Sequence, residues 1–293
     1  MVSLDTYIKT YQEKINQALE KAVNPLKEAN RLTDGMLYSL RAGGKRLRPI
    51  LLMASFESFQ EDTNKVMSTA TALEMIHTYS LIHDDLPAMD DDDLRRGKPT
   101  NHIVFDEATA ILAGDGLLTY SFEWIAQDPL LSATEKTTLI SWLAKASGPT
   151  GMVAGQMLDL LAEDKRVTID ELEKIHRLKT GQLINFAIKA GAFLGGATQE
   201  QLDELHIFST YIGLVFQIQD DILDIVGDEE TLGKPVGSDE ENEKSTYPAL
   251  LGLDGAIKHR DNYVAKAYEA LENVQIGESK LFDLTKFLTE RKY

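Results

Sequence analysis

The sequence predicts an all-α protein folded as one domain over residues 1–293. Three observations carry this expectation. Apolar residues recur at spacings of three and four along most of the chain, which is the period of a helix with one buried stripe. No stretch alternates apolar and polar residues as a half-buried strand would. No low-complexity linker and no repeat of fixed short period divides the chain.

Composition narrows the function classes. Hydrophobic residues make up 43% and charged residues 26%, the profile of a globular protein with a sizeable core. Acidic residues number 47 against 30 basic ones, a formal charge of -17. Such a surface repels nucleic acid and anionic membranes, so an anionic substrate needs a local cationic or metal site. The chain has no cysteine, which excludes disulfides, thiol nucleophiles and cysteine metal sites. The start Met1-Val2-Ser3-Leu4-Asp5 has no basic or apolar leader pattern. No uncharged apolar run approaches the roughly 18 residues of a membrane span. A cytoplasmic enzyme without stable membrane insertion is the expectation.

The first stripe is Leu4, Tyr7, Ile8, Tyr11, Ile15, Ala18, Leu19 and Ala22, and Pro25 ends or kinks it. A second helix is expected over residues 32–42, stopping at Gly43-Gly44. Next comes Lys45-Arg46-Leu47-Arg48-Pro49, ahead of the apolar residues 50–56. Glycines let backbone approach a ligand, and Lys and Arg bind phosphate as point charge and bidentate fork. By itself the segment reads first as a solvated basic turn. Residues 72–82 then form a helix apolar enough to be buried, and His83-Asp84-Asp85-Leu86-Pro87-Ala88-Met89-Asp90-Asp91-Asp92-Asp93-Leu94-Arg95-Arg96-Gly97-Lys98 follows directly. Carboxylates at the end of a buried helix must be paired, metal-bound or open to a cavity, since an isolated buried charge costs several kcal/mol or more.

Helical spacing returns over residues 107–126, 133–146 and 149–161, with Gly114 and Gly116 placed for close helix packing near Asp115. Thr168-Ile169-Asp170-Glu171 has the pattern of a helix start with a capping box. The helix it opens is expected to be long, running through Lys179-Thr180-Gly181 to about residue 196. Gly191 and Gly195 suit close packing in a bundle, because Lys189 and the polar flanks exclude a membrane pair. Residues 199–226 carry Phe216-Gln217-Ile218-Gln219-Asp220-Asp221-Ile222-Leu223-Asp224. Asp220 and Asp224 share a face, with Asp221 beside them and Gln217 a turn earlier. Three like charges so close call for a cation. Residues 231–247 read as a loop whose Lys234 and Lys244 make it a plausible lid. Helices over residues 255–274 and 280–289 complete the chain.

Other readings of these motifs are weaker. The acidic run Asp239-Glu240-Glu241 is solvated surface. A calcium loop from Asp90 fails, because Leu94 and Arg95 stand where a ligand and the turn glycine belong. There is no Walker loop, dinucleotide fingerprint or paired-histidine zinc helix. His77 precedes Asp84 by two helical turns; a structural hydrogen-bonded histidine and a phosphate contact both remain open. Two carboxylate plates near lysines and arginines suit a diphosphate held through magnesium, which takes one or two carboxylates and shares phosphate oxygens.

In these motifs the chain resembles the trans-isoprenyl diphosphate synthases, and within them the bacterial farnesyl diphosphate synthases. Asp84-Asp85 with Asp90, and Asp220-Asp221-Ile222-Leu223-Asp224, look like the family's first and second aspartate-rich motifs. Gly43-Gly44-Lys45-Arg46-Leu47-Arg48-Pro49, Gly151-Met152-Val153-Ala154-Gly155-Gln156, Lys179-Thr180-Gly181, Gly233-Lys234 and Lys244-Ser245-Thr246-Tyr247 match in order. The resemblance implies an isoprenoid synthase helical bundle around a deep central cavity, usually a homodimer. It implies that Asp84, Asp85, Asp90, Asp220, Asp221 and Asp224 hold about three Mg2+ ions, with Mn2+ as the alternative, on an allylic diphosphate. Arg95, Lys179 and Lys234 would contact that diphosphate. Gly44, Lys45, Arg48, His77 and Arg96 would bind isopentenyl diphosphate. Thr180 and Gln217 would lie near the allylic carbon, and Lys244 would belong to the closing loop. The implied reaction ionises the allylic substrate, lets the isopentenyl double bond attack, and removes a proton.

Ser80 lies one turn below Asp84 and bulky Tyr79 is its neighbour, a floor that in this family points to a C15 product, farnesyl diphosphate, from dimethylallyl and geranyl diphosphate. Geranyl and geranylgeranyl diphosphate synthases are the near alternatives. A terpene cyclase would not need Lys45, Arg48 and Arg96, and a non-catalytic partner subunit would lack one aspartate plate.

Overall fold

The computed structural model describes residues 3–163, 165–226 and 245–290. Its chain forms two compact units, residues 1–53 with 62–142, and residues 54–61 with 143–293. Helices α3 (Leu47–Glu57) and α7 (Ala133–Ser147) each begin in the first and end in the second.

In the first unit, α1 (Leu4–Val23) opens on Ser3, whose hydroxyl accepts from the Thr6 N–H, and buries Tyr7, Tyr11, Ile15, Leu19 and Ala22 as its stripe predicts. It packs with α2 (Asn30–Arg41) and with α4 (Met67–Asp84), which in turn packs along α6 (Glu107–Ala126). Helix α4 is buried on nearly every side, from Thr69 to Ile82. Each of Leu73, Met75, Ile76 and Ile82 contributes roughly 2 kcal/mol by leaving water, so the element carrying the first aspartates is rigid. A Cβ on Gly114 would overlap the His83 ring, and one on Gly116 would lie 3.2 Å from Met36 Sδ. Both glycines therefore serve the close packing expected of them.

An element absent from the sequence expectation follows α4: a hairpin of β1 (Leu94–Arg95) and β2 (Lys98–Pro99), antiparallel, with Arg95 opposite Lys98. Arg96 and Gly97 turn it with φ of 55° and 73°, the left-handed pair that a two-residue hairpin requires. Tyr38 donates to the Pro99 carbonyl at 2.7 Å, and Asn101 of the short α5 (Asn101–Val104) donates to Gly35 O and Ser39 Oγ, each at 2.8 Å. These bonds fasten the hairpin to α2.

In the second unit, α11 (Gln199–Val226) is the long central helix, packed on α10 (Gln182–Gly195), α13 (Leu253–Asn273) and α14 (Lys280–Glu290). Helices α8 (Met152–Ala162) and α9 (Ile169–His176) precede α10. The capping box at Thr168 and Glu171 forms as its sequence predicts. The helix expected to run to about residue 196 forms, with residues Arg177–Gly181 as one π-helical turn between α9 and α10 that the sequence did not predict. Gly196, at φ 91°, ends α10 in the left-handed conformation. The predicted loop yields at Tyr247, where α12 (Tyr247–Leu251) begins with Thr246 as its cap.

Candidate active site

In the first unit the site residues gather at the end of α4. Asp84 is its last residue and Asp85 caps it. Beyond them the chain doubles back through tight turns, and the Asp90 N–H donates to the Asp84 carbonyl at 2.9 Å. That bond returns the third predicted carboxylate to the helix end. Asp85 is buried, and its carboxylate accepts from Arg95 Nε at 2.5 Å. Burial nevertheless pushes its pKa up to about 6, outweighing the stabilising arginine. Arg95 also reaches Asp92 at 3.3 Å.

The hairpin sends its second arginine the other way. Arg96 donates to the Gly43 carbonyl, and a Cβ on Gly44 would collide with its guanidinium. Gly44, at φ 125°, is thus needed both for its backbone and for the space it leaves. Arg48 Nη1 lies 3.1 Å from His77 Nε2. Burial, and then the charges of Arg48, Arg96, Arg46 and Arg95, hold His77 well below the usual histidine range. A neutral His77 can accept that hydrogen bond. Gly44, Arg48, His77 and Arg96 therefore belong to one cationic neighbourhood, with Lys45 exposed on the same segment. Ser80 is half-buried and its hydroxyl donates to the His77 carbonyl, while Tyr79 is buried edge-on to His83. Burial and the charge of Asp84 push the Tyr79 hydroxyl up to about 12.

In the second unit the π turn has a visible cause and consequence. A Cβ on Gly155 of α8 would overlap the backbone at Lys179, so this glycine lets α8 touch the turn directly. Gly213 of α11 meets it from another side, where an added Cβ would fall 3.2 Å from Gly181 Cα. Held between them, Lys179 Nζ pairs with Asp159 Oδ2 at 2.6 Å, and buried Thr180 donates to Gln217 Oε1 at 3.0 Å. The predicted pair Thr180 and Gln217 is thereby in contact. One turn beyond Gln217, α11 presents half-buried Asp220 and buried Asp221 and Asp224. The Tyr247 N–H donates to Asp221 Oδ2 at 2.9 Å. Lys234 and Lys244 lie outside the described residues.

Sequence reading missed several supporting groups. Asp159 gave no signal beyond lying one turn after Gly155. Arg260 donates to Gln219 at 2.9 Å. Buried Glu173 accepts from Tyr263 at 2.5 Å, lies 3.0 Å from His259 Nε2 and pairs with Arg177 at 2.9 Å. Tyr247 stacks on His176, with rings 5.7 Å apart. Arg177 follows Glu173 by one helical turn; the other partners come from distant segments with no spacing to connect them.

The aspartates of both clusters offer only hard carboxylate oxygens, which fits magnesium rather than a thiophilic metal. Among the described residues no three His, Cys, Asp or Glu side chains converge into a ready-made cage.

Comparison with known proteins agrees. A family model described as Polyprenyl synthetase matches residues 29–280. The chain is 48% identical to the farnesyl diphosphate synthase of Geobacillus stearothermophilus, covering 100% of this chain and 99% of that one. It is 50% identical to that of Escherichia coli K12, covering 92% and 91%. Among solved structures, an FPP/GFPP synthase from Zymomonas mobilis superposes with a TM-score of 0.85 at 36% identity, covering 97% of this chain and 98% of that one. On these motifs, this helical fold and full-length relatives, the chain belongs to the polyprenyl synthetase family.

Proposed function

We propose that this enzyme condenses isopentenyl diphosphate with dimethylallyl and then geranyl diphosphate to make farnesyl diphosphate. Full-length identity of 48% and 50% to two farnesyl diphosphate synthases carries the reading. The local chemistry supports it. Asp84, Asp85 and Asp90, with Asp220, Asp221 and Asp224, are the groups to hold magnesium, about three ions, with manganese as the alternative. Enzymes of this family are metal-dependent, and bound metal supplies the positive charge that stabilises a departing diphosphate. Arg95, Lys179 and Lys234 add charge on the allylic side, where Arg95 and Lys179 are already aimed by Asp85 and Asp159. Gly44, Lys45, Arg48, His77 and Arg96 take the diphosphate of isopentenyl diphosphate; a neutral His77 beside arginines suits an anion, since it adds no repulsion when empty and can donate when filled. The Thr180 and Gln217 oxygens, fixed by their mutual bond, present partial negative charge to an allylic cation. For Lys244 the family resemblance alone supplies a role.

The family model runs through both compact units, which supports a single catalytic domain over residues 1–293. No helix among the described residues is long and apolar enough to cross a membrane. A cytoplasmic homodimer completes the reading.

The test is incubation with magnesium, isopentenyl diphosphate and each allylic starter, followed by sizing of the products. A dominant C15 product is expected from both dimethylallyl and geranyl starters. A dominant C10 or C20 product overturns the chain-length reading, and a cyclic hydrocarbon from one allylic substrate overturns the condensation itself.

A further inference from the structure

The basic segment presents three cations in four residues, yet the structure separates them. Arg46 points inward. Its side chain and that of Glu74 are each 2% exposed, and they pair at 2.6 Å. Arg46 Nε also donates to Asn16 Oδ1 at 2.9 Å, and Nη2 to the Leu40 carbonyl at 2.5 Å. With each of its nitrogens partnered and no surface open, this side chain is not placed to touch a substrate. Glu74 Oε2 is buried without a hydrogen-bond partner, so Arg46 is the group that offsets that charge, and loss of either partner would strand the other.

The pairing has a geometric consequence. Arg46 has φ 50°, following Gly43 at 90° and Gly44 at 125°. A left-handed conformation is strained for a residue with a side chain, and it persists only where the surroundings over-determine it. Here they do so from two helices. On α4, Glu74 holds Arg46 and His77, one turn on, touches Arg48. On α1, Asn16 holds the Arg46 side chain and Gln12, one turn earlier, donates to the Lys45 carbonyl at 3.0 Å. The strained turn lets Lys45 stay exposed beside the inward-facing Arg46.

We infer that Arg46 is a positioning residue: clamped by Glu74 and Asn16, and aided by Gln12 on the Lys45 carbonyl, it fixes the backbone turn from which Lys45 and Arg48 hold isopentenyl diphosphate. This rests on the assignment of that segment to isopentenyl diphosphate under the proposed function. It places determinants of substrate affinity on α1, whose residues touch no substrate.

The test compares a Gln12→Ala/Asn16→Ala double variant, Arg46→Lys and Lys45→Ala in steady-state assays with each substrate varied, alongside thermal unfolding. Gln12 is half-buried and Asn16 exposed, so water can take over part of their bonding and the double variant is expected to unfold only slightly below the parent. Its KM for isopentenyl diphosphate should rise about 3- to 10-fold, the scale of one or two hydrogen bonds. The allylic KM and kcat should stay within about twofold. Arg46→Lys, which keeps the charge and loses the fork, should shift the same constant in the same direction. An unchanged isopentenyl KM in both, beside a raised one in Lys45→Ala, overturns this inference alone. Equal losses for both substrates, with or without a lower Tm, also overturn it. If Lys45→Ala leaves the isopentenyl KM unchanged, the assignment of the whole segment falls and this inference falls with it.

Discussion

At the scale of single residues, burial and charge are set against each other. Asp85 caps a helix buried on nearly every side and is itself buried, so its ionised form is expensive and its pKa rises from 3.8 to about 6 despite Arg95. The folded protein therefore binds a proton more readily than the unfolded chain between those values, and stability falls as pH rises through that window. The Asp85→Asn variant, studied in metal-free buffer, should match or exceed the parent in Tm above about pH 6, and lose that advantage as pH falls towards 4. Thermal unfolding across this range checks it, and turnover should fall by orders of magnitude in the same variant. Ser80 offers a second residue-level test. It is half-buried one turn before Asp84 and beside buried Tyr79, so Ser80→Phe should shorten the main product to C10. Product sizing decides this, and an unchanged distribution removes Ser80 from the floor.

At the scale of elements, glycines decide where helices meet. Residues 168–196 have the spacing of one helix, and Gly181 alone does not say that a π turn forms there. The π turn arises because two other helices press on it, α8 through Gly155 and α11 through Gly213. A π turn widens the helix locally and re-aims side chains, as such turns often do at functional sites. Here Lys179 reaches Asp159 and Thr180 reaches Gln217. Gly155→Ala would place a methyl in the backbone at Lys179, where nothing flexible can yield. The expected result is a loss of about 1–3 kcal/mol in stability, as for other overpacked sites, with kcat reduced more than either KM. Chemical denaturation and steady-state kinetics test the two parts. A variant with normal kcat would show that the turn does not set the position of Lys179 and Thr180.

For the whole molecule, the net charge of -17 and a diphosphate substrate pull in opposite directions. Attraction must be local, because screening limits surface charge to about 8–10 Å at physiological ionic strength. The arginines of the first unit and the Lys179 site of the second supply such local fields. Metal belongs to the same argument. Chelation with EDTA should abolish product formation and leave the circular dichroism and Tm of the substrate-free enzyme unchanged. Restored activity on adding magnesium completes the test, and unfolding on chelation would contradict it.

The sequence alone determined the all-α class, most helix positions and both aspartate clusters. Those properties follow from spacing within one segment, where a helix of 3.6 residues per turn fixes which side chains share a face. Thus α6 and α11 span the residues their apolar periodicity predicts, and Thr180 and Gln217 come from motifs legible on their own. The tertiary structure decided what pairing between segments controls. It turned Arg46 inward to Glu74, set a π turn at Lys179, bound Asp221 to the Tyr247 backbone and folded a hairpin to aim Arg95 and Arg96 at different partners. No local pattern encodes these contacts, because each depends on which distant surface arrives to bury a charge or press on a turn.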